Sequence, residues 1–380
     1  MIARDLEPEL RRAASLYPVV TLTGPRQSGK TTLCRGAFPS HRYVSLEPPD
    51  LRGFARSDPR GFLNDLRAGA VIDEVQHVPE LVSYLQEEID ERPEPGRFVL
   101  TGSEHFAITG RVAQTLAGRT AVLHLLPPSL GELKRFPHGP RTLLETLVTG
   151  SYPRIHDRGI PAARWLSDYV ATYVERDVRG LLDISNLGAF TTFLGLCAGS
   201  TARELNLSRL GADAGVSHNT ARAWLSVLAA SFLVFLAPPW LNNPRKRLVR
   251  TPKLHFLDAG LCCHLIGITS AEQLATHPLR GAVFESWVAA EVYKWRVHRG
   301  LPPNIAHLRQ VRGEEIDIVV GRATGPLAVE VKSGATIAED WFAALRGADA
   351  RLVYGGDTPQ VRHGVRVVPW QQVDGENWGG

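Results

Sequence analysis

The chain has 380 residues, 44% of them hydrophobic and 22% charged, with a net charge of +4. That composition excludes a disordered or fibrous chain, and the length predicts two or three domains rather than one core. The longest apolar stretch, Ser226 to Ala237, is too short to span a bilayer and runs straight into Pro238 and Pro239, so no membrane segment is predicted.

The opening Met1-Ile2-Ala3-Arg4-Asp5 places acid where a secretion signal needs a basic and then an apolar region, which predicts a cytoplasmic protein. Cys34, Cys197, Cys262 and Cys263 lack Cys-x-x-Cys spacing and read as buried small residues rather than a disulfide framework. The β-branched run Val19 to Thr23 reads as a buried strand. It leads into Gly24-Pro25-Arg26-Gln27-Ser28-Gly29-Lys30-Thr31-Thr32, a glycine loop that opens a helix. This order is the P-loop: backbone N–H groups curl around phosphates, Lys30 reaches the β and γ phosphates, and the Thr31 hydroxyl ligates Mg2+.

Further strands are predicted at Arg42 to Leu46, Ala70 to Glu74, Arg97 to Thr101 and Ala121 to Leu125. Helix-length segments separate them, as in a parallel α/β sheet with ligand at the carboxyl strand ends. Asp73 is assigned to the magnesium ion and Glu74 to activation of water. Ser103 is the candidate γ-phosphate sensor. Arg111 and Arg119 are candidate arginine fingers facing a neighbouring copy in a homo-oligomer, with Arg119 preferred. No Asn-Lys-x-Asp guanine signature is present, so ATP is the expected nucleotide. The P-loop NTPase domain is placed at residues 1–150.

Residues 151–198 carry apolar positions at helical spacing and form a helical link. Over 199–268, Leu207 to Ala214, Gly215-Val216 and Ser217 to Leu225 make a helix-turn-helix pattern, with His218, Asn219 and Arg222 on the outer face of the second helix. Phe232 to Leu236 and Lys253 to Leu257 read as the strands of a wing with Arg245, Lys246, Arg247 and Arg250 near its tip. Between Trp240 and Gly313 eleven Lys or Arg face four Asp or Glu, a local charge suited to an anionic partner such as DNA. A plain packing module with a solvated basic face is the competing reading.

Residues 269–380 hold a helix at Phe284 to Tyr293 carrying Glu285, a strand with Asp317, and a strand Leu327 to Lys332 on which Glu330 and Lys332 share a face. Carboxylates there can hold a hard divalent cation while Lys332 orients or activates water. Asp317 and Glu330-Val331-Lys332, with Glu285 as a further ligand, resemble the PD-(D/E)xK nuclease superfamily.

Taken together, the chain resembles a group of prokaryotic AAA-type P-loop ATPases that carry a helix-turn-helix region and a restriction-endonuclease-like C-terminal domain. The resemblance rests on the P-loop, Ile72-Asp73-Glu74-Val75-Gln76, Leu100-Thr101-Gly102-Ser103, Leu116-Ala117-Gly118-Arg119, Phe256-Leu257-Asp258-Ala259-Gly260-Leu261, Phe284-Glu285, Asp317 and Glu330-Val331-Lys332. It implies an ATPase with a link to DNA. The competing expectation is an ATP-dependent signalling or scaffold switch in which the nuclease-like domain only binds.

Overall fold

The strand β1 (Val19–Thr23) is buried along its whole length and lies inside a five-stranded sheet with β2 (Arg42–Ser45), β3 (Ala70–Asp73), β4 (Phe98–Thr101) and β5 (Thr120–His124). The order is β2-β3-β4-β1-β5 and every pairing is parallel. All five strands predicted above are present. The inner strands β1, β3 and β4 are wholly buried, as a sheet covered on both faces requires, and the edges β2 and β5 are partly exposed.

Alternation assigns each side chain to one of two cores. Val19, Ile72, Phe98 and Leu100 pack with Leu81, Leu85 and Ile89 of the helix Leu81–Glu91. Val20, Leu22, Val71 and Val99 pack on the other face with Leu10 of the helix Glu7–Ala14 and with Leu33 and Cys34 of the helix Lys30–Ala37.

The computed structural model describes residues 2–102, 115–174, 186–240, 251–309 and 315–379, with backbone only at 173 and 174. Ser103, Arg111, Arg245, Lys246, Arg247 and Arg250 lie outside the described residues. The sheet just outlined belongs to the unit Met1–Pro127 with Val297–Gly300, and a second unit comprises Pro128–Arg296 with Leu301–Gly380. Residues 128–150, read from sequence with the P-loop domain, sit in the second unit. The buried Lys294 there donates to the Pro128 carbonyl at 3.1 Å and to Ser151 Oγ at 3.2 Å, and Asp258 accepts from the Ser151 N–H at 2.7 Å.

Among the described residues the second unit contains two sheets. Helices Leu207–Asp213 and His218–Ala230 are joined by a turn in which Gly215 has φ +71°, and β6 (Arg203–Glu204), β8 (Lys253–Phe256) and β7 (Val234–Ala237) form an antiparallel sheet with β8 in the middle. Asn206 and Ser217 cap the two helices, accepting from the Arg209 and Thr220 N–H groups.

The larger sheet is mixed, in the order β13-β14-β12-β11-β10-β9. Its strands are β9 (Ile305–Arg309), β10 (Glu315–Arg322), β11 (Gly325–Lys332), β12 (Ala350–Tyr354), β13 (Gln360–Arg362) and β14 (Val365–Pro369). Its core gathers Val319, Ala328, Phe342, Leu352 and Val367. The chain leaving β7 joins the two sheets: His307 N–H donates to the Pro238 carbonyl at 3.0 Å and Trp240 N–H to the His307 carbonyl at 2.6 Å.

Candidate functional site

The P-loop leaves the carboxyl end of β1 and is shaped by three residues of positive φ, Gly24 at +147°, Gln27 at +64° and Gly29 at +97°. Gly24 is required by crowding as well. A Cβ there would lie 2.1 Å from the Leu125 carbonyl oxygen. The loop is fastened from outside by Arg4, whose guanidinium donates to the Ser28 carbonyl at 2.7 Å and the Leu126 carbonyl at 2.8 Å.

Lys30 begins the following helix and is 6% exposed, with Nζ donating to the carbonyls of Gly24 and Pro25 at 2.9 Å each. Burial is the main cause that brings its pKa down to about 8, against the pull of Glu74 and Asp73. Ser28 Oγ is buried with no hydrogen-bond partner among the described residues. A loop with its curl set by glycines, a buried ammonium and an orphaned hydroxyl at a helix start fits a polyphosphate.

The acids stand one strand away, since β4 lies between β1 and β3. Asp73, at the tip of β3, is buried. Its Oδ2 accepts from Thr31 Oγ1 at 2.7 Å and from the Tyr43 hydroxyl at 2.6 Å, while its Oδ1 accepts from Thr101 Oγ1. Glu74 follows in the left-handed region at φ +57°, uncommon for a residue with a side chain, and its carboxylate accepts from Gln76 Nε2. Thr31 and Asp73 thus share one point where a divalent cation could be held, with Glu74 next to it.

Arg119 is elsewhere. It precedes β5, whose amino end pairs with Val19, so it lies at the end of the sheet opposite this chain's own P-loop. Its guanidinium holds the Asp90 carboxylate at 2.5 and 2.9 Å.

In the second unit, His218, Asn219 and Arg222 are all exposed along the helix His218–Ala230, whereas Ala221, Trp224 and Leu225 of the same helix are buried.

The second cluster forms on the mixed sheet. The β9–β10 pairing shifts register between Ile316 and Val319, and a shift of this kind re-aims the side chain it contains. Asp317 lies there, and its Oδ2 accepts from the Val331 N–H at 2.9 Å. On β11, Glu330 Oε1 accepts from Lys332 Nζ, while Glu330 Oε2 is buried with no hydrogen-bond partner among the described residues.

Glu285 comes from the helix Arg280–Val297. The next residue of that helix, Ser286, accepts from the Phe256 N–H of β8 at 3.0 Å. β8 also supplies an unforeseen member, Lys253. Its ammonium is 2.9 Å from Glu285 Oε1, 2.9 Å from Glu315 Oε1 and 3.9 Å from Asp317 Oδ1. The four sequence candidates Glu285, Asp317, Glu330 and Lys332 therefore converge, with Lys253 and Glu315 added.

Burial first, and then Asp317, pushes the Glu285 carboxyl up to about 8 and the Glu330 carboxyl up to about 7. Burial likewise raises Asp317. Burial opposes the charge of Lys253 too, but Glu285 and Asp317 outweigh it and hold the ammonium above the usual lysine range. Even with Lys253 and Lys332 among them, the four carboxylates gathered here exceed the positive charge present. A bare, buried Glu330 oxygen is where a cation would be accepted, so these residues fit a divalent ion.

Sequence comparison places these geometries in known groups. Residues 16–134 match an AAA domain, 140–272 a domain of unknown function (DUF8612) and 280–373 a second domain of unknown function (DUF4143). The uncharacterized protein Rv2008c of Mycobacterium tuberculosis is 30% identical over 340 residues, covering 88% of this chain and 74% of that protein. The chain belongs to the family of that protein. The uncharacterized protein Mb2031c of Mycobacterium bovis, another relative, has the same identity and coverage.

Among solved structures, the Walker-type ATPase PABY2304 of Pyrococcus abyssi is similar at a TM-score of 0.47 and 16% identity, over 70% of this chain and 96% of that one. A RuvB variant of Thermotoga maritima is similar at a TM-score of 0.32 and 20% identity, over 64% and 91%. With its strand order, its P-loop and the AAA-domain match, the first unit is an AAA-type P-loop ATPase fold that binds nucleotide. No helix among the described residues is long and apolar enough to cross a membrane.

Proposed function

We propose that this chain is an ATP- and Mg2+-dependent enzyme acting on DNA, in which the nucleotide state of the first unit controls how the second grips or cuts the strand. The observation that carries this reading is the convergence of Asp317, Glu330, Lys332 and Glu285 in one unit with a helix-turn-helix that exposes His218, Asn219 and Arg222. We read the helix-turn-helix with its small sheet as a winged helix and the mixed sheet as a PD-(D/E)xK nuclease-like domain.

At the first site, the backbone of Gly24 to Thr32 wraps the phosphates and the ammonium of Lys30 turns from its carbonyls to the β and γ oxygens. Glu74 takes the proton of the attacking water, Ser103 senses the γ-phosphate, and Arg119 of a neighbouring copy in a homo-oligomer exchanges Asp90 for the developing charge. At the second, Lys332 orients the water that attacks the phosphodiester. Thr31 and Asp73 at one site, and Asp317, Glu330 and Glu285 at the other, would hold magnesium, which when bound neutralises phosphate charge and polarises the phosphoryl group.

The test is retention and cleavage of labelled single-stranded, duplex and branched DNA with ATP and Mg2+. Arg222→Glu with Asn219→Ala is expected to weaken retention by at least about tenfold, and Asp317→Ala or Lys332→Ala to abolish cleavage. Retention indifferent to the helix substitutions, or cleavage surviving Asp317→Ala, would contradict the reading. One observation favours a non-cutting switch instead: Lys253 already engages two of the carboxylates. ATP-dependent assembly with DNA bound but never cut is its signature.

A further inference from the structure

The lysine that the helix-turn-helix sheet inserts among the carboxylates has no counterpart in the sequence motif of the site. Lys253 opens β8, the central strand of its sheet, and pairs with Ala237 on one side and Glu204 on the other. Its side chain is 4% exposed, against 33% for Lys332. The backbone of Lys253 is held by two ladders and its ammonium by Glu285 and Glu315, whereas Lys332 is the more exposed of the two lysines. What Lys253 offers is a fixed charge.

The charges around it can be compared directly. Glu285, Glu315, Asp317 and Glu330 carry four negative charges when ionised, and Lys253 and Lys332 return two of them. The excess, among the described residues, equals one divalent cation. Among the described residues, the single carboxylate oxygen of the group found buried and unpartnered is Glu330 Oε2, and the other oxygen of that carboxylate is paired with Lys332 rather than Lys253. Lys253 instead stands where Glu285, Glu315 and Asp317 meet. Glu315 is exposed, but Glu285, Asp317 and Glu330 are largely shielded from water, and carboxylates so placed must find cations or take up protons.

We infer that Lys253 is a built-in cation of the acidic site, filling the seat of a second divalent ion so that the cluster takes one ion rather than two. It is a positioning residue, holding Glu285 and Asp317 together, and the inference rests on the nuclease-like reading of that site. Lys253 also gives the helix-turn-helix sheet a direct part in the site, since any displacement of β8 moves the ammonium between the two acids.

The test counts Mn2+ bound by the full chain without nucleotide, taking as site-bound what is lost in Asp317→Asn. The wild type should hold about one site-bound Mn2+, and Lys253→Met about two, or one bound at least about tenfold more tightly. The Lys253→Met melting temperature should fall in chelator and recover when Mn2+ is added, which a lysine needed only for packing would not allow. Unchanged stoichiometry and affinity, or a melting loss that Mn2+ does not restore, would overturn the inference while leaving the site reading intact.

Should Lys253→Met fail to fold, the double variant Lys253→Met/Glu285→Gln removes the pair together and should bind about one Mn2+, as the wild type does. A double variant that binds two would also overturn the inference. Mn2+ binding that Asp317→Asn fails to reduce in wild type and Lys253→Met alike would overturn both the inference and the metal-site reading beneath it.

Discussion

Asp73 illustrates how a motif residue depends on its supports, among them Tyr43, which no motif names. Its two oxygens are held by Thr31, Tyr43 and Thr101 from three different elements. Groups that orient a metal-holding carboxylate typically matter by one to two orders of magnitude, so Tyr43→Phe and Thr101→Val are each expected to lower the ATPase kcat by about tenfold in a protein that still folds. Steady-state kinetics with a circular dichroism control checks this, and unaltered kcat in both would show that Asp73 needs no such support.

Lys30 gives a pH dependence. Its pKa lies near 8 in the folded chain against 10.5 when unperturbed, so between those values the unfolded state binds more protons and stability rises with pH. Nucleotide affinity has the opposite trend, because the phosphates need the ammonium: in titrations with an ATP analogue it should weaken as pH rises through about 8, and a flat profile there would contradict the assignment. Gly24 is required because an added Cβ would lie 2.1 Å from the Leu125 carbonyl oxygen, and Gly24→Ala should cost about 3 kcal/mol in thermal melts of the first unit.

At the scale of elements, the first unit is legible in the sequence because its signals are local. Wholly apolar runs mark the inner strands, and P-loop spacing lies within one loop and one helix start. The helix pair Leu207–Asp213 and His218–Ala230 is legible for the same reason, with Ser217 at a cap and Gly215 in the turn. Ser217→Ala should destabilise the second unit by about 1 kcal/mol, and unaltered melting would show that the cap contributes nothing.

The acidic site is only half legible. Glu330 and Lys332 share a face by simple alternation, but Asp317 is aimed by a register shift that no local pattern announces. Lys253 reads from sequence as a wing residue, and its meeting with Glu285 and Asp317 depends on the contact of two sheets through Pro238 to Trp240 and His307. A hint is present in β8 itself, where Lys253 and His255 alternate with apolar residues and all four positions are buried. Polar side chains on the second face of a buried strand signal a polar partner there.

Across the whole molecule, the proposed function requires nucleotide hydrolysis in one unit to be coupled to nucleic-acid chemistry in the other. Either half alone fits a simpler protein: an ATPase switch, or a metal-dependent binding module. Coupling is the property that separates the proposed function from both. The most direct measurement is steady-state ATP hydrolysis by the wild type and Glu74→Gln, each with and without single-stranded, duplex and branched DNA. The account predicts that one DNA form stimulates hydrolysis by the wild type and that Glu74→Gln removes hydrolysis and stimulation together, whereas hydrolysis indifferent to every DNA form would contradict it.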